Sequence, residues 1–202
     1  MTTLMERTPI VVGGTAEEYW AGGEYHPTDL DLCPRPSPKD LIGFAEVGLR
    51  KVGRHWVRDD LPVAVEFPGS GDDIERTVAL KVAGVSVLMI GCEDLYLDRI
   101  RQATVNWPRE DISFDAALEI AITNFPRMDW EYVRNRIRAA KEREPKIGNL
   151  MADVSRRVRS RARRSFLNWS ADQSATIRRT GRTIIREDSR AVEILRRFDQ
   201  RP

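Results

Sequence analysis

Short apolar runs and alternating segments occupy the first ninety residues, and apolar spacing of three and four residues takes over from Glu93 onward. The run Pro9-Ile10-Val11-Val12 predicts a short buried strand that ends at the backbone-permissive pair Gly13-Gly14. Thr15-Ala16-Glu17-Glu18-Tyr19-Trp20 follows without a breaker and predicts a helix. In Thr28-Asp29-Leu30-Asp31-Leu32 the alternation predicts a strand with Leu30 and Leu32 toward the core and both aspartates on the other face. Pro34-Arg35-Pro36-Ser37-Pro38 is a stiff connector, and Ser37 is placed to cap a helix beginning near Pro38. Leu41, Ile42, Phe44, Ala45, Val47, Gly48 and Leu49 form the apolar face of that helix, with Gly53 following its expected C-terminus. His55-Trp56-Val57 and Pro62 to Phe67 read as two strands joined by Arg58-Asp59-Asp60-Leu61. Pro68 to Asp73 is an exposed loop, and Thr77 to Val82 with Val85 to Ile90 forms a hairpin about Ala83-Gly84.

The second half is helical. Phe114, Ala117, Leu118, Ala121, Ile122 and Phe125 make one continuous apolar face, and Trp130, Val133, Ile137 and Ala140 make another beyond Pro126. Pro145 with Gly148 is expected to end the second of these helices. A third, about Asn149 to Trp169, has a thin stripe of Val154, Val158, Ala162 and Phe166, with arginine over the rest. Residues 170 to 187 carry no decisive pattern, while Asp188 is placed to cap a last helix built on Ala191, Val192, Leu195 and Phe198. The expected organisation is α+β, with a core over residues 1–108 and a helical C-terminal region over 109–202.

Charge divides the chain in the same way. Residues 1 to 133 hold 13 Lys+Arg against 23 Asp+Glu, and residues 134 to 202 hold 20 against 8, so an overall +2 conceals halves of −10 and +12. A basic tail that attracts polyanions and basic helices docked on the acidic half are equally good readings. Cys33 and Cys92 lack Cys-x-x-Cys spacing, and His26 and His55 are the chain's two histidines, so neither a disulfide framework nor a zinc site is indicated. With no apolar stretch near the ~18 residues a bilayer span needs, and no leader-like start, the expectation is a soluble protein of the reducing cytoplasm.

The chemistry-bearing residues run in the order Gly13, Gly14, Asp29, Asp31, Glu66. Asp29 and Asp31 project together from one strand, and like charges at that spacing invite a cation. Hard carboxylate oxygens suit Mg²⁺, which completes its shell with phosphate and water. Glu66 is a third acid on another alternating strand. With 16 Asp in the chain, about one Asp-x-Asp pair arises by chance, so the pair takes its weight from the turn before it and the acid after it. A solvated strand face and an ordinary tight turn are the plainer readings of the same residues.

This order resembles the nucleotidyltransferase fold, in particular the minimal nucleotidyltransferases of abortive-infection and toxin–antitoxin type. There a Gly-Gly or Gly-Ser turn opens a helix, an Asp-x-Asp strand follows and a third acid lies on a later strand; Val87 to Leu95 with Asp98-Arg99-Ile100 is similar to the strand and helix that close the core. The resemblance implies a mixed sheet with flanking helices followed by the helical C-terminal region. It implies an NTP donor, Asp29, Asp31 and Glu66 as catalytic and metal-binding residues, and two Mg²⁺ with Mn²⁺ as the substitute ion. It makes Gly13, Gly14, Thr15 and Thr28 nucleotide contacts, and Lys81 and Arg99 clamps for the leaving pyrophosphate, unless these two pair with Asp94 or Asp98. His26 is a further phosphate contact or a turn residue. The acceptor is a macromolecule, with RNA, including a tRNA end, suggested by Arg157, Arg161 and Arg164 of the basic region; an antitoxin protein is a further partner. The alternative is a catalytically inactive module of the same fold that binds RNA or protein.

Overall fold

The computed structural model describes residues 5–22 and 27–180, with side chains as far as residue 169. His26, the segment 181–202 and the expected final helix lie outside the described residues.

The described residues build a mixed sheet and six helices in the order β1 (Ile10–Val11), α1 (Gly13–Ala21), β2 (Asp29–Cys33), α2 (Pro38–Glu46), β3 (Arg50–Val52), β4 (His55–Val57), β5 (Ala64–Glu66), β6 (Thr77–Val82), β7 (Val85–Ile90), α3 (Cys92–Ala103), α4 (Ile112–Asn124), α5 (Trp130–Arg143) and α6 (Pro145–Thr180). The seven strands lie in the order β3-β4-β5-β2-β1-β7-β6. Two pairings are parallel, β1 with β7 and β2 with β5, and the others are antiparallel. The expected α+β architecture, a mixed sheet with flanking helices and a helical C-terminal region, is the one observed.

Alternation explains how β2 is seated. Leu32 is 3 % exposed and packs in the main core with Val11, Val65, Met89, Leu95 and Ile100, while the aspartates face the other way. Helix α1 is locked over this core by Trp20, whose indole N–H donates to the Ile90 carbonyl at 2.9 Å. Asn124 of α4 in turn donates to the carbonyls of Trp20 and Ile120, each at 2.8 Å. A second cluster of Met5, Phe44 and Leu49 lies under α2.

Two boundaries differ from the sequence reading. Helix α2 ends at Glu46 rather than near residue 53, because Gly48 takes φ +77° and Gly53, at φ +60°, turns the β3–β4 hairpin. Helix α5 ends at Arg143, ahead of Pro145 as expected, but α6 begins at Pro145 itself rather than near Asn149: the fixed φ and missing N–H of proline are tolerated in a first turn, where no intrahelical donor is needed. Gly148 stays inside α6 because α5 crosses there, and a Cβ would overlap the backbone of Lys141.

Candidate functional site

Two hydrogen-bonded neighbours carry the acids. The parallel register of β2 and β5 sets Asp31 beside Glu66, and the antiparallel register of β4 and β5 sets His55 on Glu66's other side. Asp31, Glu66 and His55 therefore stand abreast on one face, with Asp29 two residues back along the same face of β2. The imidazole Nε2 of His55 lies 3.4 Å from Asp29 Oδ2 and 3.5 Å from Glu66 Oε2. One ligand atom from each of Asp29, His55 and Glu66 falls within 4.8 Å of the others, a set able to hold a metal ion.

Asp31 is aimed slightly elsewhere. Its Oδ2 accepts a 3.4 Å hydrogen bond from the Gly14 N–H at the start of α1. Gly13 has φ +58°, and a Cβ there would overlap the Asp31 carboxylate, so both conformation and space demand glycine. Burial pushes the Asp31 carboxyl above its usual range; the Gly14 N–H pulls it down, and Asp29 and Glu66 push it up again. An acid held in this way gains most from a cation or a positively polarised ligand.

Of the residues expected to meet nucleotide, Gly13 and Gly14 lie at this site. Thr15 is beside it, with its hydroxyl donating to the Asp29 carbonyl at 3.4 Å. Thr28 is exposed just before β2. Arg99 is a part of the neighbouring cavity wall, held by Glu17 at 2.7 Å and Asp98 at 3.0 Å. Lys81 is not brought in: it is exposed on β6, at the far edge of the sheet and three strands from β2.

Next to Asp31 opens a cavity of about 510 Å³, bounded by Gly13, the loop 68–74, α3 and α5. Arg99, Arg101, Arg136 and Arg143 line it together with Asp31, Asp72, Asp73, Asp94 and Asp98, so its wall is of mixed charge. Arg136 donates to the Asp73 carbonyl at 2.8 Å, and Arg143 lies 3.9 Å from the Asp73 carboxylate, so the loop after β5 is tethered to α5. Buried Cys33 also lines the cavity, and burial pushes its thiol up, away from nucleophilic use.

Asp94 is not paired with Lys81 or Arg99. Its Oδ2 accepts from the backbone N–H groups of Glu75 and Arg76, both at 2.7 Å, and its Oδ1 from the Tyr132 hydroxyl at 2.5 Å. It thereby pins the chain entering β6 to α3 and α5.

The arginines expected to meet RNA are divided. Arg157 and Arg161 converge on Glu110, at 2.7 and 2.8 Å, and lie over the rings of Trp107 and Phe114. Arg164 is exposed and donates to Ser160 at 3.0 Å, one turn back on α6.

His55 is the site residue that sequence motifs do not single out; its signal is its place opposite Glu66 in the β4–β5 hairpin.

Comparison with protein-family models found no match, and neither did comparison with curated proteins. Among solved structures, the chain is similar to an antigenic nucleotidyltransferase-like protein from Paracoccidioides brasiliensis, at 10 % identity and a TM-score of 0.45, over 71 % of this chain and 84 % of that one.

Proposed function

We propose that this protein is a divalent-metal-dependent nucleotidyltransferase that moves a nucleotidyl group from an NTP to an acceptor, with release of pyrophosphate. The observation that carries the reading is the set Asp29, Asp31, Glu66 and His55 on one face of β2, β5 and β4, beside a glycine turn and a cavity lined by four arginines and five aspartates. The donor set fits a divalent cation: hard carboxylates in a partly exposed position, with an imidazole alongside. Mg²⁺ or Mn²⁺ bound there would supply charge neutralisation for the triphosphate and the leaving pyrophosphate.

The chain's own contributions divide among its elements. Asp29, Asp31 and Glu66 fix where positive charge collects, and Glu66 favours loss of the acceptor proton. Gly13 lets the backbone at the start of α1 approach a phosphate closely, and the Gly14 N–H becomes a donor to it once Asp31 turns toward a cation. The arginines of the cavity wall hold the polyphosphate by charge and hydrogen bonds. The loop 68–74 borders the opening through which substrate would enter.

A macromolecular acceptor, RNA included, is the finer reading, supported by the charge of α6, whose exposed arginines include Arg156, Arg163 and Arg164. A cytoplasmic setting rests on the lack of a disulfide framework and of a long apolar stretch in the sequence, and an antitoxin-type partner on the family resemblance.

The test is transfer of label from α-³²P NTPs to RNA or protein in the presence of Mg²⁺ or Mn²⁺. Asp29→Asn should lower transfer by about 100-fold or more, since one metal ligand supplies several kcal/mol of charge stabilisation. Nucleotide binding without transfer to any acceptor, unchanged in the Asp29 variant, would mark the fold as an inactive binding module.

A further inference from the structure

Three observations single out His55 within the acid cluster. Its Nε2 faces both Asp29 and Glu66, at 3.4 and 3.5 Å, so one nitrogen is shared between two carboxylates. Two donors about 2.1 Å from one ion stand about 3.0 Å apart at a right angle and about 3.4 Å apart at the tetrahedral angle. The two spacings His55 makes are those of ligands around a single small cation, and the three donor atoms all lie within 4.8 Å of one another. Finally, Arg54 lays its guanidinium over the same atoms, with Nε 3.1 Å from Glu66 Oε2 and 3.4 Å from His55 Nε2. Its side chain is 72 % exposed, so this positive charge can swing into solvent at small cost when an ion takes its place.

Ligand chemistry then decides which ion. Three carboxylates with water suit Mg²⁺, but imidazole is a borderline nitrogen donor that favours Mn²⁺, Zn²⁺ and similar ions over Mg²⁺. We propose that His55 is a direct metal ligand, with Asp29 and Glu66, and that its nitrogen makes the centre prefer a transition-type divalent cation to Mg²⁺. The inference deepens the transferase reading and rests on the same carboxylates. Asp31, aimed at Gly14, is left outside this set of three.

The experiment uses the full chain and Mn²⁺ as the probe. Pulsed EPR of bound Mn²⁺ detects directly coordinated imidazole nitrogen, and the chain has only two histidines, so the source is assignable. The unaltered protein should give the imidazole signal, His26→Gln should keep it and His55→Gln should lose it. In the same variants, His55→Gln should weaken Mn²⁺ binding by about 10-fold or more while Mg²⁺ binding changes far less. His55→Asn gives a second substitution should the glutamine variant unfold, and the signal from the unaltered protein is decisive by itself. Bound Mn²⁺ without imidazole nitrogen, or with a signal that survives His55→Gln, overturns the proposal and leaves the transferase reading standing. Failure of the unaltered protein to bind either ion overturns both.

Discussion

At the scale of single residues, two acids with opposite roles sit close together in the fold. Asp94 is a structural acid: its side chain is 2 % exposed and it accepts two backbone N–H groups and a tyrosine hydroxyl, with Arg136 at 3.6 Å. Removing it strips the backbone N–H groups of Glu75 and Arg76 and the Tyr132 hydroxyl of their shared acceptor, while Arg136 keeps Glu75 at 2.8 Å, so Asp94→Ala should cost roughly 3 kcal/mol, read as a lowered midpoint in urea. Asp31 is the converse. Its carboxyl is raised by burial and by its acidic neighbours, so the folded state holds that proton to higher pH than the unfolded chain does. Folding stability from this residue thus falls as pH rises through the carboxylate range, and Asp31→Asn should remove the fall. Melting temperatures of the two proteins should agree near pH 3, where Asp31 is neutral in both states, and the variant should be higher at pH 7. A variant less stable at pH 7 would assign Asp31 a structural role. Neither behaviour follows from sequence alone. Asp94 and Asp31 both precede a leucine; which one is buried under donors is decided by strands that arrive from elsewhere.

At the scale of elements, legibility followed the range of the interactions that decide each one. The β6–β7 hairpin was readable to its ends because its turn is local, and Ala83 and Gly84 both take positive φ, 49° and 82°. That conformation suits Asn or Gly better than Ala, so Ala83→Asn should raise stability by about 0.5–1 kcal/mol in chemical denaturation. The strand β3 was not readable. Arg50, Lys51 and Val52 are all exposed, carry no apolar alternation and become a strand only by pairing with β4. Val47 and Leu49 kept a helical spacing that only the left-handed turn at Gly48 interrupts. His55 has the same lesson at the site. Its hairpin could be drawn from sequence, but which residue lies across from Glu66 is a matter of register, and register is fixed by the packed sheet. The close crossing of α5 and α6 at Gly148 is likewise tertiary. Gly148→Ala should push the helices apart and cost roughly 1–3 kcal/mol, checked by thermal melting.

At the scale of the whole molecule, the division of charge is partly an internal fastening. Glu110, before α4, receives both Arg157 and Arg161 of α6, and Arg101 of α3 meets Glu144 at 2.9 Å. Arg159 lies 5.0 Å from the Trp130 ring centre. The two readings of the basic region can therefore be separated residue by residue. Arg157→Glu with Arg161→Glu should lower the melting temperature, because Glu110 would then face like charge. Arg163→Glu with Arg164→Glu should leave melting nearly unchanged and, if RNA is the acceptor, flatten the log–log salt dependence of RNA binding by about 0.7 per lost contact. An unchanged slope would move the acceptor away from nucleic acid.

The strand order has a consequence for how the chain survives its own synthesis. Among the described residues the sheet is open at both ends, and an open strand is a template for another copy of itself. At one end β3 presents Arg50 and Lys51. At the other, β6 ends in a tip where Val82 and Val85 are 57 % and 54 % exposed, and Lys81 is the one cation in the strand. Lys81 thus stands as a gatekeeper at the less defended border. Lys81→Val should leave the native melting temperature almost unchanged while refolding from denaturant at micromolar concentration scatters more light and returns less soluble protein.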